Sequence, residues 1–422
     1  MKSTLLIRRA RVDGQVRDVW IEGNRFGRIE EKVAPDAIPP GTEVLDAEGM
    51  ALVPSFANVH CHAAMVLMRG MSDDRPLYEW LTQVIWPMEA KLTPEQVYWG
   101  MLYGCQEMIR SGVTAVMDMY WHGTRCMQAA FDSGMRACIT AVVIAPPERS
   151  AEDCLREVTE SQEAAASFSE RISVGVAPHA VYTTSPAARK ALARFAEEHD
   201  MIVHMHLSET RKENADCLAA TGLTPTALLE SEGVLSNRFI GAHGVWLSDE
   251  DRAILARRGA SIAHCPKSNC KLGSGLFDAP GAWKAGIRVG LGTDGASSNN
   301  RYDMFSEMSA AALLQKVRAE DPTVAPADEI LRAATSTGFD MLGLDAGRIA
   351  TGKLADALLL DLNAPLLAPG RNMTSDLVYA ATPECVDTTI CNGKVLMRHR
   401  RIPGEDEVRK EFLRAVDELV RS

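Results

Sequence analysis

Eight short apolar segments alternate with helical stretches through the middle of the sequence, and this alternation constrains the fold more than any other feature. Strands that alternate with helices build parallel sheets, and eight such units are typical of a (β/α)8 barrel. A doubly wound open sheet is the alternative, which strand counting does not exclude. The predicted strands are 54–62, 113–119, 136–144, 172–179, 201–209, 238–245, 260–266 and 288–295.

Helix starts can be recognised between these strands. Thr93 before Pro94 predicts an N-cap followed by proline in the first turn, and Gln96 completes a capping box. The same pair of a hydroxyl cap and a proline recurs at 185–186 and 224–225. These signals support helices between the strands, as a barrel requires.

The two ends of the chain have a different pattern. Residues before 54 form short strand-like runs that turn signals interrupt. Segment 357–362 is again strand-like, and Asn392-Gly393 predicts a type I′ hairpin. The periodicity of 405–420 predicts an amphipathic helix at the end of the chain.

Composition excludes several classes of protein. The chain of 422 residues has a net charge of −11, whereas a protein that binds a phosphate backbone needs a basic face. The sequence has no apolar run of the about 18 residues that a membrane span needs, and residues 1–14 do not predict a signal peptide. Ten cysteines without a C-x-x-C pair are typical of reduced thiols in a cytoplasmic enzyme.

Histidines concentrate at the carboxyl ends of the predicted strands. In a barrel these ends form the active-site face. Six imidazoles on one rim are hard to explain by packing, because each buried ring needs a hydrogen-bond partner. The six are His60, His62, His179, His206, His243 and His264.

Four of the residues at strand ends have the chemistry of a metal site. His60 and His62 are two residues apart on one strand, so their side chains face the same way and can ligate one ion. His206 offers a third imidazole, and Asp294 at the eighth strand can complete a shell that leaves a position for water. Glu209 follows His206 by three residues, which places a carboxylate where it can move protons.

Competing motifs are weaker. Residues 290–295 match G-x-G-x-x-G, but they end the eighth strand and place Asp294 in the loop, where it would repel a dinucleotide's phosphates. The H-E-x-x-H signature of zincins and the P-C-x-x-C signature of cytidine deaminases are absent from the sequence. Cys265 and Cys270 are therefore interpreted as thiols that bind no metal.

The sequence resembles the amidohydrolase superfamily, and within it the 5′-methylthioadenosine/S-adenosylhomocysteine deaminases of the mononuclear-metal branch. The motifs that carry the resemblance are NVHCHAAM at 58–65, RGMSDD at 69–74, HLSET at 206–210, AH at 242–243, TDGASSNN at 293–300 and GRIATGKLAD at 347–356. The resemblance implies a TIM-like barrel over 54–349. It also implies a small β-sandwich domain that combines 1–53 with 350–422 and includes the C-terminal helix.

The resemblance also implies the roles of the residues at the centre of the site. One divalent metal, zinc or alternatively iron, would be held by His60, His62, His206 and Asp294. The end of the fourth strand, 174–179, lacks the lysine of binuclear relatives, which supports a single ion. Asp294 would also take the proton of the attacking water, Glu209 would protonate N1 of a purine, and His243 would hold the attacking oxygen.

A second group of residues matches the positions at which adenosine-type members bind their substrate. Glu89 would accept hydrogen bonds from the ribose hydroxyls. Ala141 stands where some relatives carry the first of two arginines for the homocysteine carboxylate, which argues against S-adenosylhomocysteine as the best substrate. The implied substrate-binding residues are Trp80, Glu89, His179, Ser298 and, as the second arginine, Arg149.

The expected function is therefore hydrolytic deamination of 5′-modified adenosines to the inosine analogue and ammonia, by a cytoplasmic enzyme of purine salvage. The expected partner is a small nucleoside and neither nucleic acid nor membrane; a homo-oligomer stays open. One alternative is another aminohydrolase or chlorohydrolase on the same scaffold, acting on guanine, 8-oxoguanine, cytosine or an s-triazine. The alternative of a different class is a non-catalytic scaffold with the amidohydrolase fold.

Overall fold

The computed structural model describes residues 4–421, and its central feature is the predicted set of eight parallel barrel strands. The eighth strand is in two pieces, with a break at 292–293. We number the barrel strands one to eight in chain order. They are Phe56–His62, Val113–Tyr120, Arg136–Val143, Ile172–Pro178, Val203–Leu207, Phe239–His243, Ser261–His264, and Arg288–Leu291 with Asp294–Gly295.

The break in strand eight closes the barrel. Its first piece pairs in parallel with strand seven, and its second piece pairs in parallel with strand one, where Asp294 lies opposite Cys61. All other neighbours follow chain order. This closed order confirms the barrel and excludes the doubly wound open sheet, which would have two free edges.

Helices follow the strands and surround them, and the predicted starts are confirmed. The Thr93 side chain accepts from the Gln96 amide in a capping box, and Ser185 and Thr224 cap the helices that begin at Pro186 and Pro225. The α-helices of eight or more residues are Pro94–Arg110, Gly123–Ser133, Ala151–Ala165, Pro186–Glu198, Arg211–Thr221, Asp249–Arg258, Met304–Ala319, Ala327–Ala334 and Glu405–Arg421.

The strands from the two chain ends form one hydrogen-bonded sheet of eight strands. Its members join where Met50–Pro54 pairs with Ala357–Asp361. The type I′ hairpin is confirmed, with φ of 52° at Asn392 and 73° at Gly393. The strands are Thr4–Val12, Gln15–Glu22, Arg25–Glu30, Glu43–Asp46, Met50–Pro54, Ala357–Asp361, Val386–Cys391 and Lys394–Met397.

This sheet packs on the barrel through one of its faces. Leu358 and Leu360 point into the barrel's core, whereas Leu359 points into the sheet's own core, as alternation along a strand requires. A buried ion pair between Arg136 and Asp356 links the two parts.

The C-terminal helix also contacts the barrel, because its Phe412 ring stacks on Tyr103 with centroids 4.0 Å apart. The predicted domain ranges include residues 1–3 and 422, which lie outside the described residues, and these ranges stay a prediction. None of the helices between residues 4 and 421 has the length and apolarity that crossing a membrane requires.

Candidate active site

Three histidines and an aspartate converge at the carboxyl ends of strands one, five and eight. The Nε2 atoms of His60 and His62 lie 3.5 and 3.3 Å from the same Oδ1 of Asp294. His206 Nε2 lies 3.3 Å from His62 Nε2. Side chains two residues apart on a strand face the same way, which brings His60 and His62 together. Closure of the barrel places His206 and Asp294 next to them. Four nitrogen and oxygen donors this close together form a group that can hold a divalent cation.

Backbone carbonyls fix two of the three rings. His62 Nδ1 donates to the Met119 carbonyl at 2.5 Å, and His206 Nδ1 donates to the His179 carbonyl at 3.0 Å. A neutral imidazole that donates from Nδ1 keeps its lone pair on Nε2. Both Nε2 lone pairs are therefore available for metal ligation: His62 Nε2 faces the Asp294 carboxylate, and His206 Nε2 faces His62 Nε2.

A fourth histidine fixes the third ring. His204 Nδ1 donates to the Ile240 carbonyl at 2.8 Å, so its Nε2 accepts from His60 Nδ1, also at 2.8 Å. His60 Nε2 is fully buried and has no hydrogen-bond partner. A buried acceptor without a donor is costly, and a cation at this point would satisfy it. The donor set therefore fits a metal ion.

The two oxygens of the Asp294 carboxylate have different partners. Its Oδ2 accepts from the hydroxyls of Ser268 at 2.5 Å and Ser298 at 3.0 Å, while Oδ1 faces His60 and His62. Burial alone would raise the pKa of Asp294, but the two histidines outweigh burial and hold it well below its ordinary value. Asp294 is therefore an anion that can ligate a cation and accept a proton.

Glu209 and His243 face each other beside this group. His243 Nε2 lies 3.9 Å from Glu209 Oε2, and Ser274 donates to the other oxygen of Glu209 at 3.2 Å. Burial raises the pKa of Glu209, and His243 offsets only part of the increase. His243 Nδ1 donates to Asn269 Oδ1 at 2.8 Å, which leaves Nε2 as an acceptor. The site thus contains a buried carboxyl group whose pKa is raised above its ordinary value.

These groups form the floor of a cavity whose lining includes His62, His206, Glu209, His243 and Asp294. One wall is the helical segment 77–89, in which a single π-helical turn, Leu81–Ile85, separates two short α-helical turns. Such π turns are frequent at functional sites. The segment contributes Leu77, Trp80, Leu81, Ile85, Trp86 and Glu89 to the cavity lining.

Three of the predicted substrate-binding residues line this cavity: Trp80, Glu89 and His179. Loss of solvation raises the pKa of Glu89, and neighbouring Trp121 and Tyr120 partly offset this increase. Burial, together with the neighbouring His62 and His60 rings, lowers the pKa of His179 to about 3, so this ring is neutral.

The structure places the other two predicted substrate-binding residues outside the cavity lining. Ser298 is buried behind Asp294, where its hydroxyl bonds the carboxylate. Arg149 donates to the Ile144 carbonyl at 2.6 Å and pairs with Glu157. His264 also lies outside the lining, packed against the ring of Phe277.

Several residues that support the site were not predicted from the sequence. Ser268, Asn269 and Ser274 bond Asp294, His243 and Glu209 respectively. All three follow strand seven within ten residues of His264. Small polar residues clustered directly after a barrel strand are the signal that could have identified them.

The sequence is similar to those of curated deaminases over most of its length. A 5-methylthioadenosine/S-adenosylhomocysteine deaminase of Thermococcus kodakarensis is 43% identical over 383 residues, which cover 90% of this chain and 89% of the relative. A 5′-deoxyadenosine deaminase of Methanothermobacter thermautotrophicus is 41% identical over 397 residues, covering 93% and 91%.

Among solved structures, an adenosine deaminase from Xanthomonas campestris with bound zinc superposes with a TM-score of 0.92 at 32% identity. The superposition covers 100% of this chain and 99% of that one. The atrazine chlorohydrolase of Arthrobacter aurescens has a TM-score of 0.87 at 22% identity, covers 98% and 100%, and shows the common fold alone.

The family assignment rests on most of the chain. The Amidohydrolase family profile matches residues 51–396, which include every strand of the barrel and all four candidate ligands. The zinc-bound neighbour and the converging donors support a divalent metal at this site. The resemblance seen in the sequence is confirmed: this chain belongs to the amidohydrolase family.

Proposed function

We propose that this protein hydrolyses the 6-amino group of 5′-modified adenosines and releases the inosine analogue and ammonia. One observation carries the proposal: Glu209, a buried carboxyl group with a raised pKa, lines a cavity beside a group of three histidines and an aspartate. Replacement of an aromatic amino group needs a nucleophilic water, a base for its proton and an acid for the ring nitrogen. Relatives named as adenosine-type deaminases support this choice among amidohydrolase reactions.

We assign one zinc ion to His60, His62, His206 and Asp294, with Fe²⁺ as the alternative. Imidazole nitrogen and carboxylate oxygen are ordinary zinc ligands. When bound, such an ion acts as a Lewis acid that makes water a nucleophile near neutral pH. Its place is set by the three Nε2 atoms, whose rings are oriented by the Met119 and His179 carbonyls and by His204.

Asp294, Glu209 and His243 divide the proton transfers. Asp294 accepts a proton from the attacking water, since its second oxygen is already held by two serine hydroxyls. Glu209 donates a proton to N1, which makes C6 electrophilic. His243 Nε2 accepts a hydrogen bond from the attacking water and orients it. Water adds at C6, and Asp294 passes the proton it accepted to the amino nitrogen. The C6–N bond then breaks to release ammonia, and the proton of the C6 hydroxyl returns to Glu209 as the C6 carbonyl forms.

The cavity lining supports a nucleoside as substrate. Glu89 offers a carboxylate to two vicinal ribose hydroxyls, and Trp80 offers an apolar wall. We retain His179 as a substrate-binding residue because it is neutral and lines the same cavity. Ser298 is assigned to Asp294 instead, since it contacts that carboxylate.

The lining also favours an uncharged 5′ group. Among the described residues that line the cavity there is no lysine or arginine, whereas Glu89, Glu209 and Asp294 are carboxylates. The nearby cation Lys271 bonds Asp73 and Asn300, and Arg149 pairs with Glu157. An amino-acid tail would find no cation for its carboxylate, so we propose 5′-methylthioadenosine or 5′-deoxyadenosine ahead of S-adenosylhomocysteine.

The unpaired cysteines support the expected cytoplasmic location. All ten are free thiols, and nine of them are buried. Free thiols are usual where the compartment is reducing.

The test is ammonia release from a panel of substrates, together with elemental analysis. We expect turnover of 5′-methylthioadenosine, 5′-deoxyadenosine and adenosine, one zinc per chain, and loss of activity on chelation that zinc restores. Preferred turnover of guanine, cytosine or an s-triazine would replace the nucleoside proposal with another reaction of the family. A pure protein without metal that releases no ammonia from any of them would support the non-catalytic scaffold.

A further inference from the structure

The turn after strand five holds its backbone in an unfavourable conformation directly before Glu209. Ser208 has a φ of 48°, in the left-handed region that residues other than glycine rarely adopt. The Glu209 side chain leaves the backbone at the next residue. Any relaxation of Ser208 would therefore swing the Glu209 carboxylate away from His243, which now lies 3.9 Å from it.

One buried carboxylate holds this turn in place. Glu213 Oε1 accepts from the Ser208 amide at 3.0 Å, and its Oε2 accepts from the Glu209 amide at 2.8 Å. From the other side, the Ser208 carbonyl accepts from the Trp246 amide at 2.9 Å. The peptide groups around Ser208 are thus bonded on both sides.

The contacts of Glu213 differ from ordinary helix capping. Thr210 is the N-cap of helix Arg211–Thr221, and its hydroxyl accepts from the Glu213 amide at 3.1 Å. In a capping box the carboxylate three residues later returns to the N-cap amide. The Glu213 carboxylate instead accepts from the amides of the two residues before the N-cap, Glu209 and Ser208.

An ion pair does not account for Glu213. Its side chain is 6% exposed, and in residues 4–421 it forms no salt bridge with a lysine, arginine or histidine. Burying a carboxylate is costly unless it is well hydrogen-bonded. Its hydrogen bonds go to the two amides that set the direction of Glu209, so this buried carboxylate stabilises the conformation of the turn.

We propose that Glu213 is the positioning residue for Glu209: its two oxygens clamp consecutive amides and thereby aim the Glu209 carboxyl into the cavity. The inference rests on the proposed acid role of Glu209. Glu213 itself does not line the cavity, and its carboxylate bonds backbone amides and none of the candidate metal ligands. Its loss therefore lowers kcat through Glu209 and leaves substrate binding and metal content in place.

The first test is Glu213→Gln in the metal-loaded enzyme. The glutamine amide group places a donor against one backbone N–H, so one of the two bonds is lost. We expect kcat to fall about 10–100-fold, as misplaced catalytic groups cost, with KM changed by less than about threefold. Metal content should equal that of the parent protein. The matched control is Thr210→Ala, which weakens the same helix start and keeps both amide bonds; it should lower Tm and leave kcat within about threefold.

A double-mutant cycle separates this inference from the proposed function. If Glu213 acts through Glu209, Glu213→Gln causes no further loss of kcat in the Glu209→Gln background. An equal fold loss in both backgrounds, or unchanged kcat in Glu213→Gln, would overturn the positioning role. Full turnover by Glu209→Gln alone would overturn the proposed acid instead. Should Glu213→Gln not fold, the same substitution is made in the Ser208→Gly background, because glycine adopts this φ without strain. The kcat of the double variant is then compared with that of Ser208→Gly alone, and the same fall is expected.

Discussion

His204 accepts a hydrogen bond from His60 Nδ1 at 2.8 Å, although His204 itself lies below the active-site floor. The Ile240 carbonyl fixes the tautomer of His204, and His204 in turn fixes that of His60. The direction of the first candidate ligand thus depends on a residue two positions before another candidate ligand, His206. Strand five contributes both a candidate ligand and the support of a candidate ligand on strand one.

The first prediction concerns this support. His204→Phe fills a similar space but cannot accept from His60, so His60 is free to rotate. We expect metal affinity to fall about 10–100-fold, the usual effect of removing the partner of a ligating histidine. Metal retention during titration with a chelator measures it. His199→Gln, at an exposed helix end, is the control and should retain metal like the parent protein. Equal retention in His204→Phe would contradict the prediction.

The second prediction concerns Glu209. Glu209→Gln is nearly isosteric, but an amide cannot donate a proton and take it back. We expect at least a 100-fold loss of kcat, within the range of about 10²–10⁴ for general acid–base catalysis. Elemental analysis should still find one metal per chain, because Glu209 lies outside the ligand group. Loss of metal and activity together would show that Glu209 is a ligand or is needed for folding.

The third prediction concerns how activity depends on pH, whose direction follows from the burial of Glu209. The acid form of Glu209 is the active form, and burial raises its pKa above the ordinary value of a glutamate. Activity is therefore present below that pKa and falls as pH rises through it. Asp294 must be ionised, and its lowered pKa keeps it so at acidic pH. A kcat/KM profile of the metal-loaded enzyme tests this; a rate that rises across the same range would contradict it.

The sequence was sufficient for the barrel and for the pairing of His60 with His62 because both depend on local patterns. Alternating apolar segments define strands, and His60 and His62 share a face through strand parity alone. Asp294 was placed correctly at the end of strand eight, but the break before it was not foreseen. At that break the Thr293 amide donates to the side-chain oxygen of Asn58 at 3.0 Å, a contact between distant segments that local patterns do not predict.

The contacts of loop side chains could not be predicted from local sequence patterns. Ser298 and Arg149 were aligned with substrate-binding positions, yet one bonds Asp294 and the other pairs with Glu157. Where a loop side chain points depends on contacts between segments far apart in the chain. The clamp of Glu213 on the Glu209 amide was missed for a related reason, because the motif resembles ordinary capping until the backbone geometry is known.

The fourth prediction concerns the junction between barrel and chain-end sheet. Asp356 is fully buried, and it accepts from Arg136 at 2.9 Å and from the Asn392 amide at 2.8 Å. Asp356→Ala leaves the buried Arg136 charge without its carboxylate, because the side-chain oxygen of Asn392, at 2.7 Å, is neutral. We expect the free energy of unfolding to fall by about 3–5 kcal/mol. Denaturant unfolding measures it, with Asp216→Ala at an exposed pair as a control that should change stability by less than about 1 kcal/mol. An equal effect of both variants would contradict the prediction.

The fifth prediction tests whether Glu89 recognises the sugar. A carboxylate that accepts from two vicinal hydroxyls makes charge-assisted bonds worth about 1.5–3 kcal/mol each when buried. The parent enzyme should therefore lose about 10-fold or more in kcat/KM when 5′-methylthioadenosine is replaced by its 2′-deoxy or 3′-deoxy analogue. Glu89→Ala should be slower on the full substrate and nearly indifferent to the same deletions. Adenine, which has no ribose, should be a poor substrate for both. If the parent enzyme deaminates adenine as well as the nucleoside, the cavity does not select for ribose, and Glu89 is a helix residue that happens to face the cavity.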